Sequence, residues 1–413
     1  MRDKLLKGIM VTVLLLGLTI VKAQNARIDA LGGNFSISDV SLVIGNPSAS
    51  VSYGDVVQMT GYGDGTAGTF IGIKSIGKWA AIGLAANQGS YLSTAFYSDS
   101  KELLDSIVQP NAPLQDQFPP IPHLLIGVGN ATFSAGIDLY YERSSAETNR
   151  ISLNGSSVQN SAKLSNTGVC ASVGMQLSKF GIYPFASYSH PEAKGKLDTA
   201  ESVLPVEIKT ANSSAFSGGV EMWYSRPAFD VMMGGAYTQE MYQIRFKQLL
   251  ETFGPKNSGK IIDLWGGVHF RKIQHLQLSL AYSFQNGMYE KNSQSDDPAT
   301  ETRYAFEVTT HDIIGSGEYT IPVNGFFDVI ALRIGGVWSM VDSTYRYGLL
   351  QSGVTQIEEN VHYPKETALF GPTFGCGIKK SIFQLDVAVN LSGWKETFAG
   401  PPVLSATITV GNH

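Results

Sequence analysis

The chain is short of charge, short of cysteine, and has only one long apolar run. Asp, Glu, Lys and Arg make up 16% of its 413 residues, against about 25% in an average soluble domain. That shortfall argues against an ordinary water-exposed surface of this extent. The formal balance is −5 at neutral pH, so nothing basic invites nucleic acid, and none is expected as a partner. Past residue 23 no run of 18 or more apolar residues occurs, which excludes membrane-spanning helices. Two cysteines, Cys170 and Cys376, are too few for a disulfide framework.

Catalytic signatures are missing as well. There is no H-E-x-x-H, G-x-S-x-G, Walker loop or C-x-x-C, and these carry the zinc, nucleophile, phosphate and redox chemistries that a sequence can announce. The expectation is therefore no enzyme, no metal and no cofactor. His311-Asp312 is the one base-and-orienter pair adjacent in sequence. Neighbours on a strand face opposite sides, so these two cannot readily bond each other. A Ser-His pair assembled from different strands stays open.

What is present begins with a leader. Arg2, Lys4 and Lys7 precede the apolar run Ile9–Val21, and Val21-Lys22-Ala23 offers small residues at a cleavage site. This pattern predicts a cleaved signal peptide over 1–23, since the run is shorter than the roughly 20 residues a spanning helix needs.

Behind it, alternation with period two dominates. Leu276, Leu278, Leu280, Tyr282 and Phe284 alternate with Gln277, Ser279, Ala281, Ser283 and Gln285. The stretches Phe133–Tyr141, Phe383–Ser392 and Leu404–Val410 do the same. Such runs exceed the 5–6 residues of a common soluble strand and suit a tilted strand crossing a bilayer. Their polar faces hold few charges, as a lumen would.

The connections sort into two kinds. Tight ones fall at Ser75–Lys78, Gly129-Asn130, Ser178–Gly181, Ser225–Pro227, Arg271–Gln274, Pro322–Gly325 and Lys379–Ser381. Between them lie long polar segments at Asn87–Pro122, Arg143–Lys163, His190–Asn212, Gln243–Gly259, Met288–Arg303 and Thr344–Lys365. Short turns at one end and long loops at the other mark a membrane barrel. With Val51–Met59 as the first strand, the seven hairpins give 16 strands, and the reading spans 14–16. The predicted fold is all-β: a transmembrane antiparallel β-barrel in the outer membrane over 51–413, with 24–50 as a plug or hatch. The alternative for 24–50 is a tail leading into the first strand.

Parity places single residues. Cys170 falls on the small, polar face of its strand and Cys376 on the apolar face of another, so no bond between them is expected. Asp138, Asp263 and Asp386 fall on polar faces and are candidate lumen residues, with solvated wall positions as the alternative. Trp79 and Trp223 lie beside tight turns, where interfacial rings collect. Leu103, Leu104, Ile107 and Val108 in "KELLDSIVQ" recur at helical spacing ahead of an apolar, Pro-rich stretch. They are a candidate outer-loop contact for a hydrophobic ligand, or simply a cover packed over the barrel mouth. Asp296-Asp297 is a candidate for a divalent cation at a lipopolysaccharide surface, or a solvated loop.

The segment "NARIDALGGNFSISDVSLVIGNPSA" then carries a resemblance. Ala26-Arg27, Gly32-Gly33, Asp39 and Asn46-Pro47 resemble the N-terminal signature of the long-chain fatty-acid transporter (FadL-like) superfamily of outer-membrane barrels, which is similar to the secretion-associated shuttle (PorV-like) barrels of the Bacteroidetes lineage. Leu31 stands where the family has Met, and Ser48 where it has Ala. The signature covers about 25 residues; elsewhere the likeness is architectural. It implies a plug inside a barrel of 14 strands, fewer than the hairpins suggest. It further implies passage of small hydrophobic or amphipathic molecules, or, alternatively, a non-transporting shuttle or anchor for a secretion or surface-assembly machine. The expected partners are outer-membrane lipid and lipopolysaccharide, a hydrophobic small molecule, and secretion-system proteins. Within the plug, Arg27 is expected to reach a lumen carboxylate such as Asp386.

Overall fold

The computed structural model describes residue 31 and residues 43–62, 69–87, 121–130, 132–151, 157–197, 206–247, 251–294, 300–323, 325–351, 354–391 and 403–411. Alternating sequence becomes paired strand throughout. In order these are β1 (Val56–Tyr62), β2 (Thr69–Ile76), β3 (Ala80–Asn87), β4 (Ile121–Gly129), β5 (Phe133–Ile151), β6 (Ser157–Leu177), β7 (Phe180–Leu197) and β8 (Val206–Ser225). They continue with β9 (Phe229–Lys247), β10 (Glu251–Ile273), β11 (Leu276–Gln294), β12 (Thr300–Pro322), β13 (Val329–Gln351), β14 (Val354–Lys380), β15 (Phe383–Asn390) and β16 (Val403–Gly411). Each pairs antiparallel with its chain neighbours, and β16 returns to β1, Gln58 opposing Thr409, so the sheet closes with no free edge. The 16 strands match the hairpin count and exceed the 14 that the family resemblance implies.

All seven tight turns lie where the polar punctuation puts them. Three of them turn through positive φ at non-glycine residues, Ser178 (55°), His275 (65°) and Ser381 (54°). Two carboxylates pin this end of the barrel. Asp55 accepts from Lys74 Nζ (2.6 Å) and the Ser75 amide (2.8 Å), and Asp328 accepts from Lys380 Nζ (3.0 Å) and the Ser381 amide (2.7 Å). The lysine bond at Asp55 and the backbone bond at Asp328 hold both carboxyls below their ordinary pKa.

One face of every strand is apolar and open. Leu264, Leu280, Ile334, Phe374 and Ile408 point outward, each about half exposed. An apolar belt of this size around a closed barrel has lipid as its solvent. Trp79 projects outward at the turn end, 66% exposed, as an interfacial ring does. Trp223 does not join it. On β8 it shares a face with Glu221, which accepts from its indole N–H inside the barrel. Nearness to a turn sets height, but parity sets the face.

Two further expectations are corrected. Val51–Met59 is not one strand. Pro47–Ala49 forms a turn of 3-10 helix, Ser50–Tyr53 forms a short helix α1, Gly54 ends it at φ 62°, and β1 starts at Val56. A Pro in the first helical position favours this start, and a positive-φ glycine favours this stop. Five of the six long polar segments, moreover, are largely strand, while 88–120 lie outside the described residues. β5–β14 run 18–27 residues each, whereas β1–β4, β15 and β16 run 7–9. About ten residues cross a bilayer, so ten consecutive strands rise far beyond it as a tall wall, beside a wall that is low among the described residues. Beyond the lipid both faces meet water, so apolar alternation stops while pairing continues.

Candidate functional site

The inner face of the low wall is polar across β1 and β16, where Gln58 bonds Thr409 and Thr60 bonds Thr407, but it also carries an apolar patch. Val56 (β1), Ile71 and Ile73 (β2), Ala81 and Ala85 (β3) and Leu125 (β4) form one buried apolar strip. Water-filled barrels line this surface with polar groups. The strip is covered from within by the segment before β1. Val43 and Ile44 are buried on it, and Ala49 and Tyr53 pack beside them. Burying two aliphatic side chains stabilises this seat by on the order of 3–6 kcal/mol.

Small residues in the wall let the segment's backbone come close. A Cβ on Gly136 of β5 would lie 2.3–2.4 Å from the backbone of Pro47 and Ser48, and one on Gly127 of β4 would lie 2.2 Å from Ser50 Oγ. Polar bonds then fix the register. The Ser48 amide donates to Ser172 Oγ on β6 (2.8 Å), Ser50 Oγ donates to the Pro47 carbonyl (2.7 Å), and Cys170 Sγ donates to the Gly45 carbonyl (3.7 Å). Asn46 and Pro47 of the signature therefore sit inside the barrel against β4–β6. Ala26, Arg27, Gly32, Gly33 and Asp39 lie outside the described residues, as do Leu103, Leu104, Ile107, Val108 and Asp296-Asp297.

Next to the seat is a buried polar cluster. His123 Nδ1 meets both oxygens of Asp138 at 3.0 and 2.9 Å, and the two side chains are 0% and 1% exposed. The Tyr140 ring lies 5.6 Å from His123, and Cys170 opposes Asp138 across β5–β6. Asp138 is thus paired and dry rather than solvated. The sequence reading missed His123, although closing the hairpin at Gly129-Asn130 sets His123 opposite Tyr140, with Asp138 diagonal to it.

The other two lumen acids have separate partners. Asp386 accepts from Arg333 Nη1 (2.6 Å) and Gln384 Nε2 (2.7 Å), and Arg333 Nε donates to Glu318. Gly377 on β14 leaves the space this pair crosses, for a Cβ there would lie 2.2 Å from Asp386 Oδ1. The cation at Asp386 is thus Arg333; Arg27 lies outside the described residues. Asp263 accepts from Gln285 Nε2 (2.8 Å) on the inner face of β10 and β11. The three acids line one lumen but do not converge on one site. His311 and Asp312 also separate: His311 bonds the Tyr282 hydroxyl on the outside (2.7 Å), and Asp312 accepts from Ser283 Oγ inside (3.3 Å). Cys170 is buried on the lumen side and Cys376 exposed on the lipid side, both as free thiols.

No family model and no curated protein matches the sequence. Among solved structures, the toluene transporter TodX of Pseudomonas putida aligns at 10% identity and TM-score 0.41, over 94% of this chain and 98% of that one. The CymD monoaromatic hydrocarbon channel aligns at 10% and 0.40, over 94% and 97%. The β domain of the Bordetella autotransporter Brka aligns at 11% and 0.34, over 67% and 98%. Likenesses this distant carry no argument, and fold and function rest on the chain's own geometry.

Proposed function

We propose that the chain is an outer-membrane channel for small hydrophobic or amphipathic molecules, with the segment before β1 as its gate. The observation that carries this is the aliphatic strip inside the low wall, Val56, Ile71, Ile73, Ala81, Ala85 and Leu125, closed by Val43 and Ile44. A pore for ions or sugars gains nothing from such a lining. An apolar solute gains a track of low hydration along which the seated segment can be exchanged for cargo, and burial of apolar surface drives the exchange in both cases.

The test is uptake of a labelled hydrocarbon or fatty acid by cells carrying the wild type, a deletion of the gene, or a form lacking 25–46. Loss of uptake on gene deletion, with altered uptake in the truncated form, supports the channel. Equal uptake in all three would sink it.

A second reading, a shuttle or anchor for surface assembly, is favoured by the tall wall. Ten strands of 18–27 residues present a broad surface above the membrane on which a protein partner could dock. Isolation from gently solubilised membranes separates the two. A stoichiometric protein partner supports the shuttle, and an apolar small molecule in the lumen supports the channel.

A further inference from the structure

The outer side of the tall wall carries a row of cations. Lys163 (β6) opposes Lys194 (β7), Lys194 opposes Lys209 (β8), and Lys209 opposes Arg245 (β9). Four positive residues thus lie side by side across four neighbouring strands. Like charges directly opposite in a ladder destabilise it, so the row is an expense to the fold unless an anion offsets it. Lys196, one step further along β7, belongs to the same patch.

The acids nearby offset it only in part. Lys194 Nζ holds Glu192 at 2.6 Å, with the two side chains 45% and 32% exposed, a surface pair of small worth. Glu147 and Glu207 line the same groove, and Glu207 opposes Lys196 in the ladder. Among the described residues no carboxylate lies within ion-pair distance of Lys163, Lys196 or Lys209. The chain as a whole is acidic, at −5, so the row is a local reversal of charge.

Its shape and height say what fits. Between β7 and β8 the register breaks from Ser189 to Lys194. Side chains take over the bonding there: Thr210 Oγ1 accepts from the Ala193 amide (2.6 Å), and Ser213 Oγ donates to the Pro191 carbonyl. A groove of about 330 Å³ lies beside this break, lined by Arg143, Lys163, Lys194, Lys196 and Lys209. The last large apolar residues on the same outer face are Tyr188, Phe216 and Met241, about half exposed. Lys194, Lys209 and Arg245 follow them by four to seven residues, about 10–17 Å along the barrel axis at ordinary rise and tilt, and Lys163 lies level with Lys194. That is just above the lipid hydrocarbon and facing sideways, the layer of sugar-phosphate headgroups in an outer leaflet.

We propose that Lys163, Lys194 and Lys209 form a binding site for the phosphate groups of a phosphorylated outer-leaflet glycolipid. The ladder supplies a row of donors at strand spacing, and the lipid phosphates remove the repulsion within it. The site is independent of the lumen and of what the barrel passes.

The test uses the full barrel in neutral detergent. The probes are bis-phosphorylated lipid A, the same lipid A with its phosphates removed, and inorganic phosphate. Each lysine at an anionic surface contributes roughly a fivefold effect, so K163Q/K194Q/K209Q is expected to weaken retention of the phosphorylated lipid about a hundredfold. The dephosphorylated lipid should bind as weakly to wild type as the phosphorylated one binds to the variant. K78Q/K179Q, at the turn end, should change nothing. Heat-modifiable gel mobility confirms that each variant is folded, and single Lys→Gln variants serve if the triple variant is not. Equal retention by wild type and a folded variant overturns the proposal. So does an equal loss in K78Q/K179Q, or displacement of the lipid by inorganic phosphate, which would reveal a free-anion site.

Discussion

Replacing Gly136 with valine should unseat the segment before β1 while leaving the barrel closed. The Cβ alone would lie 2.3–2.4 Å from the backbone of Pro47 and Ser48, so the segment must move, because backbone cannot rotate aside. Forcing extra carbons into a packed contact costs about 1–3 kcal/mol. Displacing Ser48 also breaks its 2.8 Å bond to Ser172 Oγ, and a buried amide left unpaired costs about another 1–3 kcal/mol. The sum, about 2–6 kcal/mol, is comparable to the on the order of 3–6 kcal/mol that Val43 and Ile44 contribute to seating. The substitution should therefore raise the unseated population by at least tenfold. Cys170 reports it, since its thiol is buried against the Gly45 carbonyl. In a Cys376→Ser background, a water-soluble maleimide should label Cys170 at least ten times faster in Gly136→Val than in the parent. Gly61→Val, where a Cβ meets nothing within 4 Å, should leave the rate unchanged. An unchanged rate in folded Gly136→Val would refute the argument that close backbone contact holds the segment.

Other expectations follow from the same geometry. Arg333→Met strands Glu318 and Asp386 without their shared cation, so it should lower stability by about 3–5 kcal/mol, read from the urea midpoint of the refolded barrel. Leu264→Arg places a charge on the lipid face, where Leu264 is 50% exposed, and should cost about 2–4 kcal/mol near mid-bilayer; an unchanged midpoint would mean that this face is not in lipid. The turn-end pins should respond to acid alone. Asp55 and Asp328 have carboxyl pKa values below the ordinary 3.8, so their contribution is complete above that value and is lost as pH falls through the lower folded value. Exchange of the Ser75 and Ser381 amides should be protected alike at pH 5 and pH 8, and Asp328→Ala, which removes the acceptor, should expose Ser381 at both.

The barrel could be read from the chain because a wall with lipid on one side must alternate, and because turns need Gly, Ser, Asn or Pro at fixed places. That logic puts Leu276–Gln285 on its correct faces and Cys170 and Cys376 on opposite sides. It fails where its physical cause ends. Thr344–Lys365 looks like a loop because neither face meets lipid there, yet it is part of β13 and β14. Val51 and Ser52 look extended but pack as helix, held between Pro47 and Gly54. The His123–Asp138 pair stayed hidden because its meaning depends on folding one hairpin and then covering it. Asp386 was legible as a lumen residue, but its partner Arg333 arrives from two strands away, across Gly377.

The most direct test of a gated lumen is to lock the gate. Ser48 and Ser172 touch through one hydrogen bond, so cysteines at both positions, in a chain with Cys170→Ser and Cys376→Ser, can tie the segment to β6. Reconstituted in liposomes, this protein should pass a labelled hydrocarbon when reduced and block it when oxidised, with flux restored by reductant. Equal flux in the two states would contradict the account.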